Sequence, residues 1–94
     1  MARALAALRA GGLRAGPRCR ALRVAAGERQ EDVAQKIKTT KGSISDWETE
    51  HRRPDPVWRA GLAWWSRVTA QGLGMPEAEV KAHEWDERQE EDAA

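Results

Sequence analysis

The sequence lacks phenylalanine and tyrosine, and among its 94 residues it has a single cysteine, Cys19. A lone cysteine excludes an internal disulfide bond and a zinc site built from cysteines. No apolar run approaches the ~20 residues of a membrane-spanning helix, so we expect no membrane partner. With aromatic residues restricted to tryptophan, we expect the large core side chains to be Trp47, Trp58, Trp64, Trp65 and Trp85.

Acidic residues are missing from the first 27 positions, which carry six arginines. Residues 77–94 show the opposite bias, with eight acidic residues against Lys81 and Arg88. The net charge of +1 therefore conceals a basic end and an acidic end. A basic end suits phosphate contacts, whereas an acidic end is repelled by nucleic acid and points away from it or binds a partner.

The length suits one small domain. We expect a flexible basic N-terminal extension at residues 1–16, a folded domain at residues 17–86 and an acidic tail at residues 87–94. The extension superficially resembles an organelle transit peptide because it is arginine-rich and acid-free. It lacks the serine enrichment of such peptides, and a basic arm is the favoured interpretation.

Apolar periodicity predicts five helices, so the expected fold class is all-α. The expected ranges are residues 17–26, 30–37, 41–49 and 56–70, with a last helix opening at Pro76. Gly27 is the predicted stop of the first helix, and Thr40 the predicted N-cap of the third. The predicted core stripes are Cys19, Leu22 and Ala26 in the first helix, Val33, Ala34 and Ile37 in the second, Trp58, Leu62, Trp65 and Val68 in the fourth, and Ala78, Ala82 and Trp85 in the fifth. Trp64 lies off its stripe and is expected at the surface.

The third predicted helix has two contrasting sides. At about 100° per residue, Ile44, Trp47 and Glu48 share one side, which we expect to face inward. The opposite side is small and polar. It consists of Gly42, Ser45, Asp46 and Thr49, with Lys41 beside them in the first turn.

The segment "LRVAAGERQEDVAQKIKTTKGSISDWETEHRRP" resembles the Cro/cI-type (XRE) helix-turn-helix regulators. The resemblance extends over about 33 positions, and the alignment needs no gap. They are Leu22, Arg23, Gly27, Gln30, Glu31, Val33, Ala34, Ile37, Ile44, Ser45, Trp47, Glu48, Arg52 and Pro54. Lys38 and Glu50 depart from the family pattern, because each stands where glycine is common, and Glu28 replaces a usual apolar residue.

The resemblance implies a five-helix lambda-repressor-like domain whose third helix enters the DNA major groove. The residues implied to read bases are Lys41, Gly42, Ser45 and Asp46. The residues implied to contact phosphates are Gln30, Thr40, Ser43, Thr49, Arg52 and Arg53. The family pattern also implies an Arg23–Glu48 pair that fixes helix three against helix one without reading bases.

The function expected from this resemblance is sequence-specific binding of double-stranded DNA by a cytoplasmic, nucleoid-associated bacterial or phage-type regulator, most simply a repressor. A homodimer on an inverted repeat is expected, with helices four and five as its interface. Two alternatives stay open: an antitoxin-like regulator that binds a partner protein through its acidic C-terminal segment, and a helical adaptor that binds only protein. No nucleophile with a base, phosphate loop, metal cluster or cofactor motif is visible, so neither an enzyme nor a cofactor is expected.

Overall fold

A computed structural model describes residues 14–85, and this part of the chain contains five α-helices and no strand. The helices are α1 (Ala15–Ala25), α2 (Gln30–Ile37), α3 (Lys41–Glu48), α4 (Pro56–Gly72) and α5 (Glu77–His83). The all-α prediction is therefore confirmed for this part of the chain. Most of the predicted N-terminal extension and the whole predicted acidic tail lie outside the described residues. Within residues 14–85, no helix combines the length and the apolar character needed to cross a membrane.

Helix α1 begins two residues before the predicted start at Pro17. Ala15 and Gly16 are buried, so they belong to the folded body and not to the predicted extension. Gly16 packs so closely on the end of α3 that a Cβ atom there would lie 2.5 Å from the carbonyl oxygen of Trp47. The absence of a side chain at Gly16 thus permits the first and third helices to meet.

The core lies between α1, which packs against α3, α4 and α5, and α2, which packs against α3 and α4; α5 also packs against α4. Its largest fully buried side chains are Trp65, Leu22, Ile44, Leu62 and Val33. Of the five tryptophans expected in the core, Trp47, Trp65 and Trp85 are buried and Trp58 is partly buried. Trp64 is 45% exposed, in agreement with its position off the predicted stripe.

Three predicted core stripes were wrong in part. On α1, Ala25 is buried, whereas the predicted Ala26 follows the helix and is only partly buried. Val68 is 44% exposed, because the buried side of α4 is centred on Leu62 and Ser66 and Val68 lies more than a quarter turn away from it. On α5, Ala78 and Ala82 are exposed.

Val80 and His83 are the buried residues of α5. Burial of the larger valine removes more apolar surface from water than burial of either alanine. Trp85 is buried as predicted, but it follows the helix, which ends at His83.

Four helices end in the same hydrogen-bonded turn, in which a residue with positive φ follows the helix. The residues with positive φ are Gly27, Lys38, Glu50 and Gly74. At α2, the amide of Thr39 donates to the Ala34 carbonyl at 2.8 Å and the amide of Lys38 donates to the Gln35 carbonyl at 3.4 Å. This pattern is the Schellman motif, and it satisfies carbonyls that the helix leaves unpaired.

Candidate functional site

The candidate site is built on α2 and α3, which are joined by residues 38–40. Lys38 adopts φ 62° and ψ 50°, the left-handed conformation in which a lysine costs about 1 kcal/mol relative to glycine. The indole Nε1 of Trp58 donates to the Lys38 carbonyl at 3.4 Å and so links the turn to α4. The turn thus keeps the geometry for which glycine is usual, although lysine occupies it.

The inner side of α3 is closed against the core. Ile44, Trp47 and Glu48 are 1%, 3% and 3% exposed. These three residues are the ones that the helical spacing placed inward. Their burial fixes the rotation of α3 about its own axis, so the side that faces solvent is also fixed.

The outer side of α3 carries the small polar residues. Lys41, Gly42 and Thr49 are exposed, and Ser45 and Asp46 are half-buried. A Cβ atom on Gly42 would meet only the hydroxyl of Thr40, at 3.9 Å, so the surface there is open. No element of the described fold covers these residues, and they form one accessible surface.

Glu48 is the centre of a buried hydrogen-bond network. Its carboxylate accepts from Arg23 Nε at 2.7 Å and from Arg23 Nη2 at 3.1 Å, so the pair is bidentate. Gln30 Nε2 donates to the same carboxylate at 3.1 Å. The hydrogen bond to Glu48 raises the pKa of Arg23, although burial acts in the opposite direction. This network connects α1, α2 and α3.

Gln30 therefore has a structural contact that the resemblance did not include. Its amide nitrogen has two N–H groups, and one is directed to Glu48. The other N–H is available to a phosphate oxygen. The contact with Glu48 restricts the Gln30 side chain to one orientation at the first turn of α2.

Carboxylate and hydroxyl caps define the first turns of α2 and α3. At α2, the carboxylate of Asp32 accepts from the backbone N–H of Arg29 at 2.7 Å. This hydrogen bond, followed by the bonds from the Arg29 side chain, lowers the pKa of Asp32. At α3, the Thr40 hydroxyl accepts from the backbone N–H of Ser43 at 3.1 Å, as the sequence predicted for an N-cap.

The basic residues of the outer side are paired with acidic neighbours. Lys41 Nζ lies 3.8 Å from Glu31 Oε2, with both side chains largely exposed. Arg52 Nε lies 3.5 Å from Asp46 Oδ2, and Arg52 Nη2 donates to the Ser43 hydroxyl at 2.8 Å. Surface pairs of this kind contribute about 0–1 kcal/mol, so they can be exchanged for contacts with a ligand.

Thr49 and Arg53 lie at the C-terminal end of α3. The Thr49 hydroxyl lies 2.8 Å from the Ser45 carbonyl and 2.6 Å from His51 Nδ1. Arg53 is exposed in the loop that follows, next to Arg52. The structure thus brings all ten predicted contact residues to α3, its two ends and the first turn of α2.

Sequence reasoning missed the side-chain contacts among these residues. Nothing in the spacing indicates that Arg52, nine positions after Ser43, returns to its hydroxyl. The contact arises because the turn at Glu50 has a positive φ and reverses the chain along α3. The available signal was position 50, where the resembled family usually has glycine, because a glycine at that position marks a reversal of the chain direction.

Comparison with family models, with curated proteins and with solved structures finds no significant match to this chain.

Proposed function

We propose that this protein is a sequence-specific double-stranded DNA-binding regulator of the Cro/cI (XRE) helix-turn-helix class, acting as a repressor in the cytoplasm. The observation that carries the proposal is the orientation of α3. Its apolar side is fully buried, and an uncovered side of small polar residues and Lys41 faces solvent. An α-helix of this size fits the major groove, which is about 12 Å wide.

The surroundings of α3 suit a phosphate backbone on both sides of a groove. Gln30 lies at the first turn of α2, where backbone N–H groups and the helix dipole favour an anion. Arg52 and Arg53 lie beyond the other end of α3. If about five phosphates are contacted per domain, the plot of log affinity against log salt has a slope of about −4 to −5.

We assign a proposed role in DNA binding to each residue from its position on α3 or beside it. Lys41 and Ser45 read base edges, and Gly42 permits close approach of the backbone. Asp46 pairs with Arg52 at the surface and accepts from a cytosine amine if one is presented. The phosphate contacts come from Gln30, Thr40, Ser43, Thr49, Arg52 and Arg53. A symmetric dimer would place two such helices about 34 Å apart on an inverted repeat.

The experiment is selection of binding sites from a random DNA pool, followed by anisotropy titrations of the selected site and its single-base variants. We expect Lys41→Ala to relax the choice of base at one position, with a loss of discrimination of about 1–3 kcal/mol. Lys81→Ala removes the same charge from the exposed surface of α5 and serves as the matched control. It should leave base choice unchanged.

Gln30→Ala should weaken binding to all sequences equally, because a phosphate contact carries no base information. Since Gln30 also donates to Glu48, unfolding of this variant is measured in parallel, so that a loss of affinity is not confused with a loss of structure. The proposal fails if the chain shows no salt-sensitive binding to any DNA at low ionic strength. That result would favour a helical adaptor that binds only protein.

A further inference from the structure

Two acidic side chains lie on the surface that would face DNA, although the DNA backbone is itself negatively charged. Asp46 Oδ2 lies 3.5 Å from Arg52 Nε, with the Asp46 side chain 48% exposed. Glu31 Oε2 lies 3.8 Å from Lys41 Nζ, with the Glu31 side chain 41% exposed. Each carboxylate thus holds one of the basic residues that are proposed to contact DNA, and each is accessible to a ligand at that surface.

The two carboxylates differ in their place on the fold. Asp46 lies on the outer side of α3, next to Ser45. Glu31 lies in the first turn of α2. Because only α3 enters the groove in the proposed arrangement, Asp46 would come within reach of base edges, whereas Glu31 would face the phosphate backbone. A carboxylate at position 46 can therefore distinguish bases, and one at position 31 cannot.

The chain reversal after α3 fixes Arg52 beside Asp46. The backbone N–H groups of His51 and Arg52 donate to the Asp46 carbonyl at 2.9 and 3.4 Å. Arg52 Nη2 also donates to the Ser43 hydroxyl at 2.8 Å. Arg52 is one of the proposed phosphate contacts, and its one positive charge cannot neutralise both a phosphate and Asp46. When DNA binds, the Asp46 carboxylate must therefore find a hydrogen-bond donor on the DNA or remain partly uncompensated.

The four bases differ in what they offer a carboxylate, which only accepts hydrogen bonds. In the major groove, cytosine presents its N4 amine, and guanine presents only acceptors. Adenine places the N7 acceptor beside its N6 amine, and thymine presents an acceptor and a methyl group. The Asp46 carboxylate is therefore compensated over cytosine and meets an acceptor over each of the other bases. In a non-specific complex it lies among phosphates, which repel it.

From this geometry we propose that Asp46 is a specificity-determining residue that acts by exclusion. Its carboxylate weakens binding to every DNA site that presents no cytosine amine at the contacted position, and it favours sites that present one. Glu31, by contrast, lowers the affinity for DNA without regard to that base, because it lies on α2 and pairs with Lys41. This inference rests on the proposed function and adds a selection against other sequences, which phosphate contacts do not provide.

The experiment compares the full chain with Asp46→Asn, which keeps the shape of a half-exposed side chain and removes its charge. Anisotropy titrations use the selected site, its single-base variants and a random-sequence duplex of the same length. We expect the variant to bind the random duplex about threefold more tightly, the effect of one exposed charge. It should bind the selected site about tenfold more weakly. The preferred base at one position should change from cytosine to adenine, because an amide matches the N6 and N7 atoms of adenine.

Two charge-matched variants serve as comparisons. Glu31→Gln should raise the affinity for both duplexes by about threefold and keep the preference for cytosine, because it releases Lys41 and removes a charge that reads no base. Glu77→Gln removes the same charge from the exposed first turn of α5 and should change neither affinity.

The outcomes separate this inference from the proposed function. If the parent binds with sequence preference but Asp46→Asn keeps the same preferred bases, or changes both affinities by the same factor, the inference is overturned and the proposed function stands. Equal effects of Asp46→Asn and Glu77→Gln would also overturn it, because net charge alone would then account for them. If the parent binds no DNA, both are overturned.

Discussion

Replacement of Glu48 by leucine tests the view that the Arg23–Glu48 pair fixes α3 in place. The substitution places an apolar side chain at a 3% exposed position and leaves the Arg23 guanidinium without its carboxylate partner. The side chain of Arg23 is only 12% exposed, so water replaces the lost carboxylate poorly. Three hydrogen bonds to the carboxylate disappear, two from Arg23 and one from Gln30, each worth about 1.5–3 kcal/mol, and burial of the leucine side chain offsets part of this loss.

The expected loss in the free energy of unfolding is therefore about 3–5 kcal/mol, which is also the usual result of removing one member of a buried pair. A domain of this size has a total stability of about 5–15 kcal/mol, so the variant lies close to unfolding. Urea unfolding followed by tryptophan fluorescence measures the change, because Trp47 is adjacent in sequence. Glu31→Leu is the control, since it removes two surface pairs, with Arg29 and with Lys41, each worth about 0–1 kcal/mol.

A double-mutant cycle separates the pair from its surroundings. Arg23→Met combined with Glu48→Leu removes both charges, and it should be less destabilising than the sum of the two single changes by about 2–3 kcal/mol. If the two changes add without coupling, the carboxylate does not fix α3 through Arg23, and the reasoning is refuted.

Three further predictions concern single positions. Gly16→Ala should destabilise the fold by about 1–3 kcal/mol in urea unfolding, because the new Cβ meets the Trp47 carbonyl; Gly72→Ala, with open space at its Cβ, should instead gain about 0.5–1 kcal/mol. Lys38→Gly should raise the free energy of unfolding by about 1 kcal/mol by relieving the left-handed lysine, and an unchanged value would contradict this account. The lowered pKa of Asp32 means that its cap stabilises α2 above the ordinary carboxyl pKa of 3.8 and that this stability is lost as the pH falls through the folded-state pKa; Asp32→Asn should therefore be less stable than the parent at pH 7 and approach it as the pH falls below about 4.

The boundaries of α2 and the start of α3 were predictable because three local signals coincide there. Gln30 begins the apolar stripe, Thr40 is a strong N-cap and Ile37 is the last stripe residue before the turn. The inner side of α3 was also predictable, since Ile44 and Trp47 are the only large apolar residues in that helix. A short helix with large apolar residues on one side can bury them in only one way, so its rotation about its own axis is well defined.

The buried side of the long helix α4 was harder to predict. Its sequence is apolar on most sides, so periodicity allowed Val68 in the core, and the burial of Ser66 gave no apolar signal. The Ser66 hydroxyl accepts from the backbone N–H of Trp85 at 3.0 Å, a contact between residues 19 positions apart that no local pattern reveals. Likewise, the spacing placed Trp85 on α5, but Glu84 is extended and the chain leaves the helix before Trp85.

Arg14 and Trp85, the first and last described residues, line the same pocket. The two ends of the folded body therefore lie side by side. A peptide linker of a few residues would bridge them, and proteins with adjacent ends commonly accept circular permutation. The Arg18 side chain donates to the Glu84 carbonyl at 3.3 Å and reinforces this closure. A permuted chain that joins residue 85 to residue 14 and opens in the loop between α4 and α5 would keep the five described helices. Two labels attached to the parent at positions 14 and 84 would report on each other at short range.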